Sequence, residues 1–249
     1  MKLLVDVGNT RLKWASIGAD GQLRPGGVFA HADGSLVAEL RREWGGLARV
    51  QSAWVASVVA SVREQELAAF VRERFGLGVQ FVRSPAAALG VRNAYAEPER
   101  LGVDRFLALA AAHARAARLQ VLVSVGTALT VDALDAGGNH LGGLIVASPL
   151  AMRQAIVAGT ARVDASGGQL RERPRSTADA VVTGSLYAAA GAIERFRASL
   201  VPPGEPLPPL LLGGGGADEL EPLLAPVERV HDLVLHGLAL WARDVSPGT

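Results

Sequence analysis

The amino-acid sequence predicts an α/β fold made of two duplicated subdomains around one cleft. A short stretch occurs twice: residues 3–10 read Leu-Leu-Val-Asp-Val-Gly-Asn-Thr, and residues 122–129 read Leu-Val-Ser-Val-Gly-Thr-Ala-Leu, with Gly8 matching Gly126. Each copy is an apolar run that ends in a turn of small residues and enters a second apolar segment. Strands also alternate with helices along the chain, which is typical of the α/β class. Paired turns of this kind can offer backbone N–H groups and hydroxyls to a phosphate chain.

The composition indicates a folded protein with ample material for an apolar core. Of its 249 residues, 49% are hydrophobic and only 20% are charged, which argues against disorder. The net charge of +1 gives no indication of nucleic-acid or membrane-surface binding. The chain has no cysteine, which excludes disulfides and thiol catalysis. Asp6 interrupts the first apolar run, and no run approaches the roughly 18 residues that span a bilayer. We therefore expect a soluble cytoplasmic protein with no membrane or nucleic-acid partner.

The first half is predicted to contain four strands and three helices. The strands lie where apolar and β-branched residues cluster, at residues 2–7, 12–17, 53–60 and 79–82. The helices lie where apolar residues recur at helical spacing, at residues 35–44, 62–75 and 104–117. Residues 89–100 are expected to form a loop before the last of these helices.

The second half repeats this alternation. Its predicted strands lie at residues 121–125, 129–134, 141–148 and 210–212. Its predicted helices lie at residues 150–159, 177–200 and 233–241. A flexible glycine turn, residues 213–216, follows the fourth strand and could approach a base or ribose. With no long linker between the halves, the predicted subdomains are residues 1–117 and 118–249.

The first turn carries the residue types that phosphate chemistry needs. Asp6 lies at a strand end, where a carboxylate can hold Mg²⁺ directly or through water. The turn amides, Thr10 and Lys13 could hold phosphate oxygens. Lys13 is one of only two lysines in an arginine-rich chain, and a compact ammonium suits a phosphate. The alternatives are an Asx-type turn for Asp6 or Asn9 and a solvated strand position for Lys13.

The common nucleotide and metal motifs are absent. No Gly-Lys pair occurs, which excludes the P-loop pattern, and Asp218 stands where the glycine run would need its third glycine. The five histidines lack ligand spacing for zinc and are interpreted as surface or core residues.

Several motifs together resemble the type III pantothenate kinases, which belong to the superfamily of actin, sugar kinases and chaperone ATPases. The motifs are Asp6-Val-Gly-Asn-Thr10 with Lys13, Leu101-Gly-Val-Asp-Arg105, Gly126-Thr-Ala, Gly142-Gly143, Thr177-Ala-Asp-Ala-Val-Val-Thr-Gly184 and Asp232-Leu-Val-Leu-His-Gly-Leu238. Their order extends the resemblance over nearly the whole chain. It implies an actin-like ATPase fold, with two ribonuclease-H-like subdomains around a nucleotide cleft. It also implies ATP-dependent phosphorylation of pantothenate to 4′-phosphopantothenate, the first step of coenzyme A biosynthesis.

The resemblance also implies which residues bind ATP. The family's first phosphate motif maps to Asp6, Val7, Gly8, Asn9, Thr10, Arg11, Leu12 and Lys13. Its second phosphate motif maps to Thr127, and the implied divalent metal, Mg²⁺, would be held at Asp6. An activating monovalent cation, K⁺ or NH₄⁺, is also expected from the family. Many members carry an aspartate at the position of Ser124, and because a hydroxyl is a poorer cation ligand, a K⁺ site at this residue is in doubt.

The implied pantothenate site centres on the Gly-x-Asp-Arg motif, Gly102, Val103, Asp104 and Arg105. Asp104 would be the catalytic base on the primary hydroxyl, or alternatively a helix N-cap. Arg105 would pair with the pantothenate carboxylate, or alternatively form a salt bridge on a helix surface. Tyr95 would line the pocket, with plain packing as the alternative.

Thr177 matches a threonine that, in the family, reaches pantothenate from the neighbouring subunit, which implies a homodimer. Its alternative role is the N-cap of the following helix. Two other functions compete with the pantothenate kinase hypothesis. One is a regulatory or accessory protein on the same fold with weak or secondary kinase activity. The other is a kinase with a sugar or acetate acceptor, against which the Gly-x-Asp-Arg motif argues.

Overall fold

The computed structural model describes residues 1–31, 36–160 and 163–244. By contacts the chain divides into two units. The first comprises Met1–Ala117, Gly137–Asn139 and the C-terminal segment from Asp232, and the second comprises Arg118–Ala136 and His140–His231. The predicted subdomain of residues 118–249 differs from the second unit, because its C-terminal segment packs in the first. Among the described residues, no helix has both the length and the apolarity to cross a bilayer.

Five strands form the sheet of the first unit. They are β1 (Lys2–Val7), β2 (Arg11–Ile17), β3 (Leu23–Ala30), β4 (Ser52–Ser57) and β5 (Val79–Val82). Their order is β3-β2-β1-β4-β5, with antiparallel pairs on the β3 side of β1 and parallel pairs on the β5 side. A separate short ribbon follows, formed by β6 (Ala87–Ala88) and β7 (Val91–Arg92).

The sheet of the second unit repeats this topology. Its strands are β8 (Gln120–Val125), β9 (Ala128–Leu134), β10 (His140–Ala147), β11 (Leu210–Gly213) and β12 (Glu228–Arg229). Their order is β10-β9-β8-β11-β12, with the same distribution of antiparallel and parallel pairs. The predicted duplication therefore extends from the repeated turn to all five strands.

The helices agree closely with the predicted ones, with one addition. They are α1 (Leu36–Trp44), α2 (Ser61–Phe75), α3 (Val103–Arg115), α4 (Pro149–Gly159), α5 (Thr177–Ala198), α6 (Ala217–Leu224) and α7 (Leu233–Asp244). The start of the predicted helix at residue 35 lies outside the described residues. The strand predicted at residues 53–60 is too long, because Ala60 already caps α2. The loop predicted at residues 89–100 contains β7 and a 3-10 turn at Pro98–Arg100.

The structure adds the edge strand β3, which the sequence does not predict. Pro25 and Gly26 favour a turn, yet proline is tolerated on an edge strand because its missing N–H needs no partner there. Gly26 has a packing role, since a Cβ built on it would lie 2.3 Å from the Trp14 ring. The β2–β3 pairing shifts register between Lys13, which pairs with Val28, and Ala15, which pairs with Pro25, so the irregularity includes Gly26 and Gly27.

Alternation along β1 decides which helices each side chain meets. Leu3, Val5 and Val7 lie in one apolar cluster with residues of α1 and α2. Leu4 lies on the opposite face, in a second cluster with residues of α3 and α7. Because side chains alternate in a strand, Asp6 also belongs to the face that α3 and α7 cover.

Helix α7 packs closely against α3. A Cβ built on Gly237 would lie 2.0 Å from the Leu107 carbonyl oxygen, so only glycine fits at this crossing. Leu235 and Leu238 are buried on either side of it. This contact explains why the end of the chain belongs to the first unit.

Candidate functional site

Three carboxylates meet on the face of the first sheet that α3 and α7 cover. Asp6 lies near the end of β1, Asp104 is the second residue of α3, and Asp232 immediately precedes α7. Helix N-termini carry partial positive charge, so acidic side chains are favourably placed there. Asp232 has a positive φ of 50°, a conformation that aspartate tolerates better than most residues.

This arrangement raises the pKa of Asp6 from its ordinary value of 3.8 to about 7. The largest cause is removal of the carboxylate from water, followed by repulsion from the Asp104 carboxylate. Lys13 lowers the pKa of Asp6, whereas Asp232 raises it further. Asp6 thus ionises at a cost that a cation beside it would remove.

Lys13 links two of these carboxylates. It lies directly opposite Asp6 in the β1–β2 register, so both side chains are on the same face. Its Nζ atom lies 2.8 Å from Asp232 Oδ1, an ion pair that spans 219 residues of sequence. Asp232 begins one of the sequence motifs, but its role could not be predicted, because only the return of α7 to the first unit brings it here.

The chemistry of these donors fits a divalent metal ion. No group of three His, Cys, Asp or Glu side chains in the described ranges is placed to hold a metal. Mg²⁺ requires no such group, since it retains several waters and takes one or two carboxylates. Asp6, with its raised pKa, is the carboxylate that such an ion would stabilise most.

The turn between β1 and β2 presents its residues to solvent. Gly8 N donates to Arg11 O at 3.0 Å and closes the turn, while Asn9, Thr10 and Arg11 are exposed. Val7 and Leu12, which the motif also includes, are buried in the core, so only their backbones could meet a ligand.

His31, predicted to be a surface or core residue, is buried and bonds this turn from its inner side. His31 is 2% exposed, and its Nε2 lies 2.8 Å from Gly8 O. Its backbone N–H donates to Thr10 O at 3.2 Å. The absence of metal-ligand spacing gave no indication of this role, which depends on the position of His31 directly after β3.

Arg105 and Tyr95 form the second part of the site. Arg105 is only 6% exposed, so the alternative of a salt bridge on a helix surface is wrong. Its Nη1 donates to Tyr95 Oη at 3.1 Å, and its guanidinium lies 5.8 Å from the Tyr95 ring centroid. Asn93 Oδ1 accepts from Tyr95 N at 3.0 Å and fixes the tyrosine backbone.

The Gly-x-Asp-Arg segment begins α3. Gly102 occupies the N-cap position and Asp104 is the second residue of the helix, in its first turn, so the N-cap alternative for Asp104 is wrong. Asp104 Oδ1 accepts from Arg105 N at 2.8 Å. A Cβ built on Gly102 would lie 2.5 Å from Asp104 Oδ1, so the glycine leaves space for the carboxylate. Val103 is buried beneath it.

The remaining predicted site residues lie in the second unit. Ser124 is exposed and pairs with Thr130 across β8 and β9. Thr127 is exposed, and its carbonyl accepts from Ser148 Oγ at 3.1 Å. Thr177 is the exposed first residue of α5. Ser176, whose side chain accepts from Asp179 N at 3.1 Å, is the cap of α5, so the N-cap alternative for Thr177 is wrong.

The glycine run after β11 packs on the end of β8. Gly214 has a φ of +92°, and a Cβ built there would lie 2.4 Å from Val125 O. Gly216 N donates to the same oxygen at 3.0 Å. The run therefore supports the Gly126 turn and leads into α6.

The chain is similar to proteins of known family over most of its length. A family model described as type III pantothenate kinase matches residues 2–199. A type III pantothenate kinase from Stenotrophomonas maltophilia (strain R551-3) is 44% identical over 241 residues, which cover 96% of each chain.

Two solved structures show the same fold at low identity. One, described as a conserved Baf family transcriptional activator from Campylobacter jejuni, aligns with a TM-score of 0.63 and 16% identity over 97% of this chain and 98% of its own. The other, a ROK family glucokinase from Streptomyces griseus with glucose and AMPPNP, aligns with a TM-score of 0.51 and 14% identity over 98% of this chain and 99% of its own. At these identities the likeness shows the actin-like α/β fold alone.

Proposed function

Because this chain belongs to the type III pantothenate kinase family, its reaction is the ATP-dependent phosphorylation of pantothenate in coenzyme A biosynthesis, and we propose that Asp104 is the general base. The observation that carries this proposal is the meeting of Asp6, Asp104 and Lys13 on one face of the first sheet. A carboxylate within reach of the pantothenate hydroxyl can accept its proton as the oxygen attacks the γ-phosphorus of ATP. The bond between the γ-phosphorus and the β–γ bridging oxygen then breaks, and ADP leaves.

The residues of the first turn position the phosphates. Phosphoryl transfer has a loose transition state, so placement and charge neutralisation contribute more than the base does. Backbone N–H groups of the turn, Thr10 and the Lys13 ammonium would hold phosphate oxygens. Mg²⁺ held by Asp6 would neutralise charge on the transferring phosphoryl group.

Arg105 and Tyr95 suit the carboxylate end of pantothenate. A guanidinium binds a carboxylate through two parallel hydrogen bonds. Tyr95 Oη accepts a hydrogen bond from Arg105 Nη1 and so orients the Arg105 guanidinium. Burial of Arg105 excludes water, which strengthens such a pair. The chemistry of the two residues therefore supports an anionic acceptor over a sugar, and likeness to the Baf structure, at 16% identity, supports no regulatory role.

The direct test is turnover of pantothenate by the purified chain, coupled to ADP release, with sugars and acetate as alternative acceptors. Asp104→Asn should lower kcat by about 10²–10⁴. Arg105→Ala should raise the pantothenate KM at least about tenfold while the ATP KM stays unchanged. Asp20→Asn is the matched control, because Asp20 also bonds an arginine but lies on the exposed hairpin end. Wild-type activity in Asp104→Asn would exclude the proposed base.

A homodimer also belongs to this proposal, with Thr177 reaching the neighbouring site. Support comes from the α4 surface, which we define as the exposed apolar side chains of β10, α4 and α5: Leu141, Ile145, Leu150, Ile156, Val157 and Tyr187. Every residue of α4 from Gln154 to Gly159 is exposed, although the helix is largely apolar. Exposed apolar side chains concentrated on neighbouring elements are typical of an interface with another protein chain. Tyr187 lies about 15 Å along α5 from Thr177, by the helical rise.

The dimer is tested by sedimentation of paired variants. Ile156→Glu should yield monomers and lower activity, because the partner's Thr177 is then lost. Leu207→Glu is the matched control, since Leu207 is 41% exposed against 39% for Ile156 but lies outside the α4 surface. A monomeric, fully active wild-type enzyme would contradict this arrangement.

A further inference from the structure

Each of the two proposed phosphate turns is held by a hydrogen bond from a buried side chain, and the two side chains occupy equivalent positions of the duplicated fold. In the first unit, Arg11 pairs with Ala30, and His31 follows directly. In the second unit, Ala128 pairs with Ala147, and Ser148 follows directly. His31 and Ser148 are therefore the same position of the duplicated fold, the first residue after its third strand.

Each of these side chains bonds a carbonyl of the neighbouring turn. His31 Nε2 lies 2.8 Å from Gly8 O, and Ser148 Oγ donates to Thr127 O at 3.1 Å. Since a carbonyl only accepts, the His31 ring donates through Nε2. Both side chains are buried, with 2% of His31 and 3% of Ser148 exposed, whereas the turns that they bond lie at the surface.

Additional bonds fix each side chain in turn. The His31 backbone N–H holds Thr10 O, so this residue binds both sides of the first turn. Ser148 Oγ accepts from Ala151 N at 3.2 Å, which ties the second turn to the N-terminus of α4. Two chemically different residues thus perform the same task in the two copies.

We infer that His31 and Ser148 are positioning residues for ATP, each holding one phosphate turn with its N–H groups directed toward the phosphates. This inference rests on the proposed function of the two turns as the phosphate sites. Neither residue needs to touch the nucleotide. Without the hydrogen bond from His31 or Ser148, the turn would be less preorganised for phosphate. Phosphate binding would weaken, whereas the pantothenate pocket would be undisturbed.

The variants separate the hydrogen bond from packing. His31→Leu removes the donor and fills the buried space, whereas His31→Gln keeps an N–H that can reach Gly8 O. Ser148→Ala removes the second fastening. Ser185→Ala is its matched control, because Ser185 is equally buried and bonds a carbonyl, Val182 O, that lies away from the turns.

The readout is the affinity for AMPPNP with Mg²⁺, measured by calorimetry without pantothenate, together with both KM values. His31→Leu and Ser148→Ala should each weaken AMPPNP binding about tenfold, the range found when the support of a ligand-binding group is lost. His31→Gln should recover most of the affinity, and the pantothenate KM and the Ser185→Ala affinity should stay within about twofold.

Two outcomes would overturn the inference. One is unchanged AMPPNP affinity in His31→Leu and Ser148→Ala. The other is loss in His31→Gln as large as in His31→Leu, which would make the effect one of packing. If the wild-type chain binds AMPPNP but does not phosphorylate pantothenate, the proposed function fails while this test still reports on the turns.

Discussion

The two copies of the hairpin share their backbone and differ in their charge. In the first copy Asp6 lies opposite Lys13, and in the second Ser124 lies opposite Thr130. The first turn is also one residue longer, with residues 8–11 between the last paired positions against 126–128 in the second. The duplication thus gives two similar turns, the proposed phosphate sites, but only the first hairpin has an acidic and a basic residue paired beside its turn.

The difference in charge is tested by giving the first copy the residue of the second. Asp6→Ser should lower kcat by about a thousandfold, because the carboxylate that would hold Mg²⁺ is lost from the transferring phosphate. Steady-state rates at saturating Mg²⁺ measure this. The reciprocal position is the control: Ser124→Ala should stay within about twofold of wild type. Comparable losses at the two positions would mean that the copies share the chemistry equally.

The second charged position is tested in the same manner. Lys13→Thr should lower kcat by about a hundredfold, because one preorganised cation is removed from the phosphate site. Asp232→Asn, made in the wild type and in Lys13→Thr, then shows whether Asp232 acts through Lys13. In the Lys13→Thr background the Asp232 charge can only repel phosphate, so its removal should lower the ATP KM. A raised KM there would contradict a role for Asp232 through Lys13.

The charge in the first copy should also cost stability when no metal is bound. The fold raises the pKa of Asp6, so the folded chain keeps this proton up to about pH 7 while the unfolded chain releases it near 3.8. The contribution is therefore favourable below pH 3.8 and is lost as the pH rises through 7.

Asp6→Asn should accordingly raise the free energy of unfolding at pH 8 by about 1–2 kcal/mol, after allowance for the solvent that reaches Asp6. This corresponds to a Tm higher by several degrees. At pH 4 the two Tm values should coincide. Thermal unfolding without divalent metal measures both. Added Mg²⁺ should raise the Tm of the wild type at pH 8 and leave the variant unchanged. A wild type that is more stable at pH 8 than the variant would exclude a destabilising charge at Asp6.

The sequence predicts best those strands, turns and helices that depend on residues close together in the chain. The apolar run of β1 and the turn after it predict the hairpin. The duplication itself could have predicted β3, since its counterpart β10 was recognised. Pro25 and the Gly26–Gly27 pair favour a turn in the sequence, although an edge strand tolerates these residues with little loss of stability. Helix α6 was missed since Pro222 lies inside it and a glycine run precedes it.

The site was less predictable where it depends on distant segments. Asp6, Asp104 and Arg105 belong to recognisable motifs, but the contact of Lys13 with Asp232 depends on α7 crossing α3 at Gly237. No spacing rule connects residues so far apart in the chain. His31 has no motif at all, and its role appears only when β3 is paired with β2.

The smallest expected effect comes from giving the second copy the charge of the first. Thr130, not a lysine, lies opposite Ser124, so a carboxylate at this exposed strand end would have no cation across the pair. Ser124→Asp should therefore create a preference for K⁺ or NH₄⁺, with a rate change of only a few fold, because exposed charges interact weakly. Wild type should respond to neither cation. Rates in Na⁺, K⁺ and NH₄⁺ at constant ionic strength measure this. Strong K⁺ dependence in the wild type would place the cation at groups other than a carboxylate in the second hairpin.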